Sequence, residues 1–126
     1  MQVKGLSWVG VGTDDFPATL AFFTEVLGLQ VAISDPRGVA MLHVGDGQVL
    51  EIFGPSTIGR RYTSPPVVAF QVEDVTSATA ELLERGVELV GETGRWNGFA
   101  WQYFRGPDGH LFALKTTPAA GWESNA

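Results

Sequence analysis

The chain has 126 residues, of which 44% are hydrophobic, with a formal net charge of −6 and no cysteine. That length suits one domain with its own core, and the apolar content excludes global disorder. Eight scattered Lys and Arg residues against fourteen Asp and Glu provide no basic patch for a phosphate backbone, so nucleic acid is not an expected partner. The missing thiols exclude disulfides and thiolate ligands.

No run approaches the ~20 apolar residues of a membrane helix, and no membrane partner is expected. Met1–Gly5 leads directly into a strand-like stretch without a signal-peptide pattern, so the expected address is the cytoplasm. The stretch Val9–Phe16 is extended, then yields to a helical period with apolar residues at Phe16, Leu20, Phe23 and Leu27. Asp15 is placed to cap that helix, Pro17 suits its first turn, and Gly28 suits the position just past its end. Three strands are predicted next, at Gln30–Ser34, Val39–Val44 and Gln48–Phe53. Turn-forming residues separate them, Asp35-Pro-Arg-Gly38 and Gly45-Asp-Gly47. A connection containing three prolines, Gly54–Pro66, follows.

The same order then returns. Val68–Val75 is extended, and Asp74 stands in the place of Asp15, 59 residues later. Val75, Ala78, Leu82 and Leu83 make a second helical stripe that Gly86 ends. Strands are predicted at Glu88–Glu92, Phe99–Phe104 and His110–Thr116, with turns at Thr93–Gly98 and Gly106–Gly109. The tail from Pro118 is expected to be loosely held. A β-α-β-β-β unit alone leaves one sheet face bare, so two are expected to pair. The fold class is therefore α+β, two tandem βαβββ modules forming curled mixed sheets around a ligand trough. Module 1 covers about residues 5–54, a linker 55–65 and module 2 about 66–117, in a single domain.

Three stretches carry a family resemblance: Val9–Gly28, ending Ala21-Phe-Phe-Thr-Glu-Val-Leu-Gly28; Gly45–Gly54; and Tyr103-Phe-Arg-Gly-Pro-Asp-Gly109. In these the chain resembles the vicinal oxygen chelate superfamily, which groups glyoxalase I, bleomycin-resistance proteins and extradiol dioxygenases. The resemblance implies a divalent metal held by His or Glu side chains on the first and last strands of each module. Carried over by position, those four slots fall on Trp8, Glu51, Val67 and Ala113. Only Glu51 offers a metal donor, and zinc needs three or four. His110 reads as a solvated turn residue, and His43 has no partner at ligand spacing. The expectation is a protein with no metal and no cofactor.

Aromatic side chains crowd the second half: Trp96 in a turn, then Phe99, Trp101 and Tyr103 on one face of a strand. Whether that face meets the trough or the helix stays open in the sequence. The expected ligand-binding residues are Trp8, Glu51, Val67, Trp96, Trp101 and Ala113. Glu51 and Trp8 form either a receptor for a cationic or aromatic ligand, or the remnant of a metal site in which Glu51 pairs with Lys115 or an arginine. The first functional reading is a small-molecule binding protein that sequesters an antibiotic. A second is an isomerase or lyase using Glu51 as general base, and a third is a metal-dependent lyase or dioxygenase with displaced ligands, His43 among them. The resemblance implies a homodimer.

Overall fold

A computed structural model describes residues 1–119 and 121–125, omitting the side chains of 124 and 125. The chain divides into two compact units. The first runs from Trp8 to Val67, and the second comprises Met1–Ser7 with the chain from Val68 onward. No helix among the described residues is long and apolar enough to cross a membrane.

The first unit contains β1 (Leu6–Gly12, entered from the preceding segment), α1 (Phe16–Ala21), β2 (Gln30–Asp35), β3 (Val39–His43) and β4 (Val49–Phe53). Its sheet order is β2-β3-β4-β1, with β1 parallel to β4 and the other neighbours antiparallel. Asp15 caps α1 as expected, its carboxylate accepting from the Ala18 amide at 3.1 Å. The helix then widens over Phe22–Val26, where the Leu27 amide reaches back five residues to the Phe22 carbonyl. One residue is thereby added to the turn, and the apolar stripe loses phase. Leu27, predicted to face inward, is exposed, and Leu29 packs on the core in its stead. Phe16, Leu20 and Phe23 cover Ala40, Leu42, Leu50 and Ile52.

The second unit repeats the plan with β5 (Val67–Gln71), α2 (Val75–Glu84), β6 (Leu89–Trp96), β7 (Phe99–Arg105) and β8 (Leu111–Thr116). Here the order is β5-β8-β7-β6, with β5 parallel to β8. The two βαβββ units read from the sequence are thus present, and the fold is α+β. Asp74 caps α2 by accepting from the Thr76 amide. Val75, Ala78 and Leu82 are buried under the helix against Ala100 and Leu114. Leu83, counted in the predicted stripe, lies one residue around the helix and is exposed.

Three local readings change. β6 runs on to Trp96, four residues into what the sequence marks as a turn. The reversal is tightened into Asn97-Gly98, both at positive φ (50° and 86°), the geometry of a two-residue hairpin turn. The connection after β4 is no bare linker, because Thr63 is fully buried and its carbonyl accepts from the Gly12 amide at 2.8 Å. The tail also docks: Trp122 is only 7% exposed and meets the Phe99 ring edge-on at 4.9 Å. Ala120 and Ala126 of the predicted loose tail lie outside the described residues.

Candidate functional site

Each helix covers one face of its own sheet, and the opposite face carries the candidate residues. In the first unit α1 takes Val9 and Val11 of β1 with Leu50 and Ile52 of β4. Strand alternation therefore turns Trp8, Gly10, Val49, Glu51 and Phe53 to the other side. His43 and Met41 of β3 share that side, since Leu42 and Ala40 belong to the core under the helix.

Trp8 and Glu51 come together. The indole Nε1 donates to Glu51 Oε1 at 2.8 Å, and the ring lies edge-on to Phe53 at 6.3 Å between centroids. A glycine makes this possible. A Cβ on Gly10 would stand 2.2 Å from Trp8 Cη2 and 2.7 Å from Thr63 Cγ2, so the indole lies across bare backbone. Trp8 is 4% exposed and forms a wall, while Glu51 and Phe53 are half-buried.

Pairing register shows which positions correspond in the two units. Gly10 faces Glu51 across β1 and β4, as Ala69 faces Ala113 across β5 and β8. Val67 thus occupies the place of Trp8, and Ala113 that of Glu51. Both are buried and neither has a donor atom. The residues present do not fit the metal that the family resemblance implies. Indole nitrogen can donate a hydrogen bond but has no lone pair for a cation. Among the described residues, no three His, Asp or Glu side chains are grouped closely enough to hold an ion. His110 is exposed, at the start of β8's approach.

The second unit settles the face that periodicity left open. α2 packs on Ala100 and Phe104 of β7, so Phe99, Trp101 and Tyr103 turn away from the helix, together with Ala113 and Lys115 of β8. Trp101 also lies on a glycine, since a Cβ on Gly94 would stand 2.2 Å from its ring. Lys115 is only 6% exposed, and its ammonium sits 5.0 Å from the Phe99 ring centroid and 5.9 Å from that of Trp101. The sequence offered this lysine only as a possible partner of Glu51, with no sign of its aromatic setting. Trp96, placed in a turn by the sequence, projects from the end of β6, stacks on Phe99 at 6.0 Å and is 45% exposed.

Between β6 and β7 the pairing slips by a bulge after Val90. Gln102, 1% exposed, fills it. Its amide donates to the carbonyls of Gly91 at 2.9 Å and Tyr103 at 3.0 Å, and its oxygen accepts from Thr93 Oγ1 at 2.8 Å. This polar plug holds the strand that presents Trp101. Sequence reasoning passed over it because nothing in the pattern marks a bulge.

Residues 5–114 match the Glyoxalase/Bleomycin resistance protein/Dioxygenase superfamily, and the chain belongs to that family. Among curated proteins it is similar to the uncharacterized protein YetH of Bacillus subtilis (strain 168), at 25% identity over 90% of this chain and 99% of that one. Among solved structures it is similar to methylmalonyl-CoA epimerase from Mycobacterium tuberculosis, with a TM-score of 0.70 and 24% identity over 92% of this chain and 90% of that one. Protein BH1468 from Bacillus halodurans C-125 gives 0.71 and 17% identity over 92% and 96%. At these identities the structural likeness speaks for the fold.

Proposed function

We propose that the protein binds an aromatic or cationic small molecule on the sheet faces turned away from its helices, and does so without chelating a metal. The observation that carries this is Trp8. It stands in the first of the slots where the family resemblance puts a metal ligand, seated on Gly10 and hydrogen-bonded to Glu51. That bond fixes the carboxylate in one orientation, as a binding group rather than as one arm of a chelate. Half-buried Phe53, Trp101 and Tyr103 supply ring faces for stacking. In this reading Trp8 is the wall and Glu51 the contact residue of the first unit's face. On the second unit Ala113 is a wall residue, and Trp96 and Trp101 are the ones a ligand touches. Val67, where the units meet in sequence, is a wall residue too.

The test is a titration of cationic and neutral aromatic compounds, followed by tryptophan fluorescence, with metal analysis on the same preparation. Methylmalonyl-CoA belongs in the panel, because one similar solved structure is a methylmalonyl-CoA epimerase in complex with it. Glu51→Gln should weaken a cationic ligand about tenfold, the order of one hydrogen bond to a charged group, and leave neutral aromatics unchanged. A fluorescence response to none of the compounds, or one equivalent of bound metal that Glu51→Gln releases, overturns the reading. We further take the protein to be a homodimer that sequesters an antibiotic, on the family resemblance. Light scattering and the drug tolerance of an expressing host are the measurements for those two points.

A further inference from the structure

The connection that leaves β4 returns over the open face of its own unit, and glycines clear its path. Gly59, in the short helical turn Ile58–Arg61, lies on Phe53, where a Cβ would stand 2.3 Å from the ring. At Gly12, level with Phe53 in the strand register, a Cβ would stand 3.0 Å from Arg60 Cδ. The stem of that arginine therefore runs along bare strand backbone. Fully buried Thr63 anchors the far end. Its hydroxyl donates to the Gly59 carbonyl at 2.8 Å, and its own carbonyl accepts from the Gly12 amide. The turn is thus fixed at the edge of the face that carries Phe53 and Glu51.

What the turn carries is positive charge. Elsewhere in this unit Arg37 is bound to Asp35. Arg60 is steadied by Asp14, with Nη2 at 2.9 Å from Oδ1, but Asp14 is 83% exposed and such a pair is worth little. Arg61 beside it is exposed, and no carboxylate among the described residues pairs with it. The two arginines line an open depression of about 470 Å³ with Pro55, Ser56, Thr57 and Ile58, none of them acidic.

We propose that this depression is an anion subsite at the rim of the first unit's face. It takes the phosphate or carboxylate of an aromatic ligand whose ring lies against Phe53. The inference rests on the ligand-binding reading above and narrows the aromatic ligands to those with an acidic arm. Charge dictates where that arm goes. A like charge is disfavoured beside the Glu51 carboxylate on the same face, whereas guanidinium groups offer planar, bidentate hydrogen bonds to oxyanions. Because Thr63 and the close approaches at Gly12 and Gly59 already fix the turn, binding has little left to order.

The experiment titrates the full-length protein by calorimetry with α-naphthyl phosphate, α-naphthoate and neutral α-naphthol, at low and high salt. The phosphate should bind about tenfold tighter than naphthol at low salt, the order of one charge-assisted hydrogen bond. Naphthoate, with the smaller charge, should fall between them. High salt should erase most of the preference and leave naphthol binding unchanged. Arg61→Gln should cut the preference to about twofold, the share left to Arg60, and Arg61→Lys should keep part of it. Phe53→Leu should weaken all three compounds alike, which ties the arm to the ring. If phosphate and naphthol bind equally, or Arg61→Gln leaves the preference intact, the anion subsite is wrong and the ligand-binding reading survives. If Phe53→Leu weakens naphthol but not naphthyl phosphate, the anion lies apart from the face and the joined site is wrong. If neither these compounds nor any of the earlier panel binds, both readings fall.

Discussion

The first and second units share a strand order, a helix placement and a parallel register, yet they put their aromatic groups on different strands. In the first unit the rings stand on the parallel pair, Trp8 on β1 and Phe53 on β4. In the second unit those positions hold Val67 and Lys115, and the rings move to β7 as Phe99, Trp101 and Tyr103. The corresponding strand of the first unit, β3, has Val39 and Met41 instead. The charged groups differ in the same way, a half-buried carboxylate at Glu51 in one unit and a buried ammonium at Lys115 in the other. One backbone plan therefore tolerates different chemistry on its open face, provided that backbone is cleared for each large ring. Gly10 clears it under Trp8, and Gly94 under Trp101. Where Val67 replaces the indole, Ala69 replaces the glycine and nothing collides.

That comparison breaks first at Gln102. The first unit has Ala40 in the corresponding place on β3, with no polar plug. Gln102→Ala should lose about 3 kcal/mol in urea unfolding, because several buried carbonyl and hydroxyl partners lose their hydrogen bonds together. A loss under 1 kcal/mol would mean the bulge stands without it.

Next are the two glycines. Gly10→Ala should cost about 2–3 kcal/mol, since the new methyl meets both Trp8 and the fully buried Thr63. Gly94→Ala meets only the half-buried Trp101 ring on the edge strand, and should cost about 1 kcal/mol. Equal costs would show that both indoles are equally confined. Trp8→Phe keeps a ring but removes the donor to Glu51, with an expected loss of about 1.5 kcal/mol. Trp101→Phe, measured alongside it, should lose less.

The smallest effect concerns the turns at the outer hairpins. Asp35 in the first unit is held to a pKa of about 2 by side-chain hydrogen bonds from Arg37, at 2.7 Å from Nη2, and by the Arg37 amide at 2.8 Å. A depressed carboxylate pKa contributes stability that is complete above the unfolded value near 3.8 and is lost as pH falls toward 2. The Asn97-Gly98 turn has no titrating group and should show no such loss. The carboxyl carbon of Asp35 should titrate near 2, and Arg37→Gln should raise its midpoint toward the ordinary value.

Helix starts were legible because an aspartate followed by a helical apolar period has one good use, as a cap. Sheet faces within a strand were equally legible, since alternation is strict. Other features depended on partners far along the chain. Leu27 lost its place to one extra residue in a widened turn, which no apolar period announces. Trp122 reads as part of a loosely held tail until Phe99 and Asn97 are brought beside it.

Local chemistry determined the repeated β-α-β-β-β plan, its caps and turns, and the absence of donor atoms at three of the four slots carried over from the family. Those are properties of residue type and spacing alone. Only the tertiary structure decided which face of β7 turns from the helix, that Trp8 bonds to Glu51, and that Lys115 lies among rings. Alternation says which side chains share a side, but only packing against α1 and α2 says which side is covered.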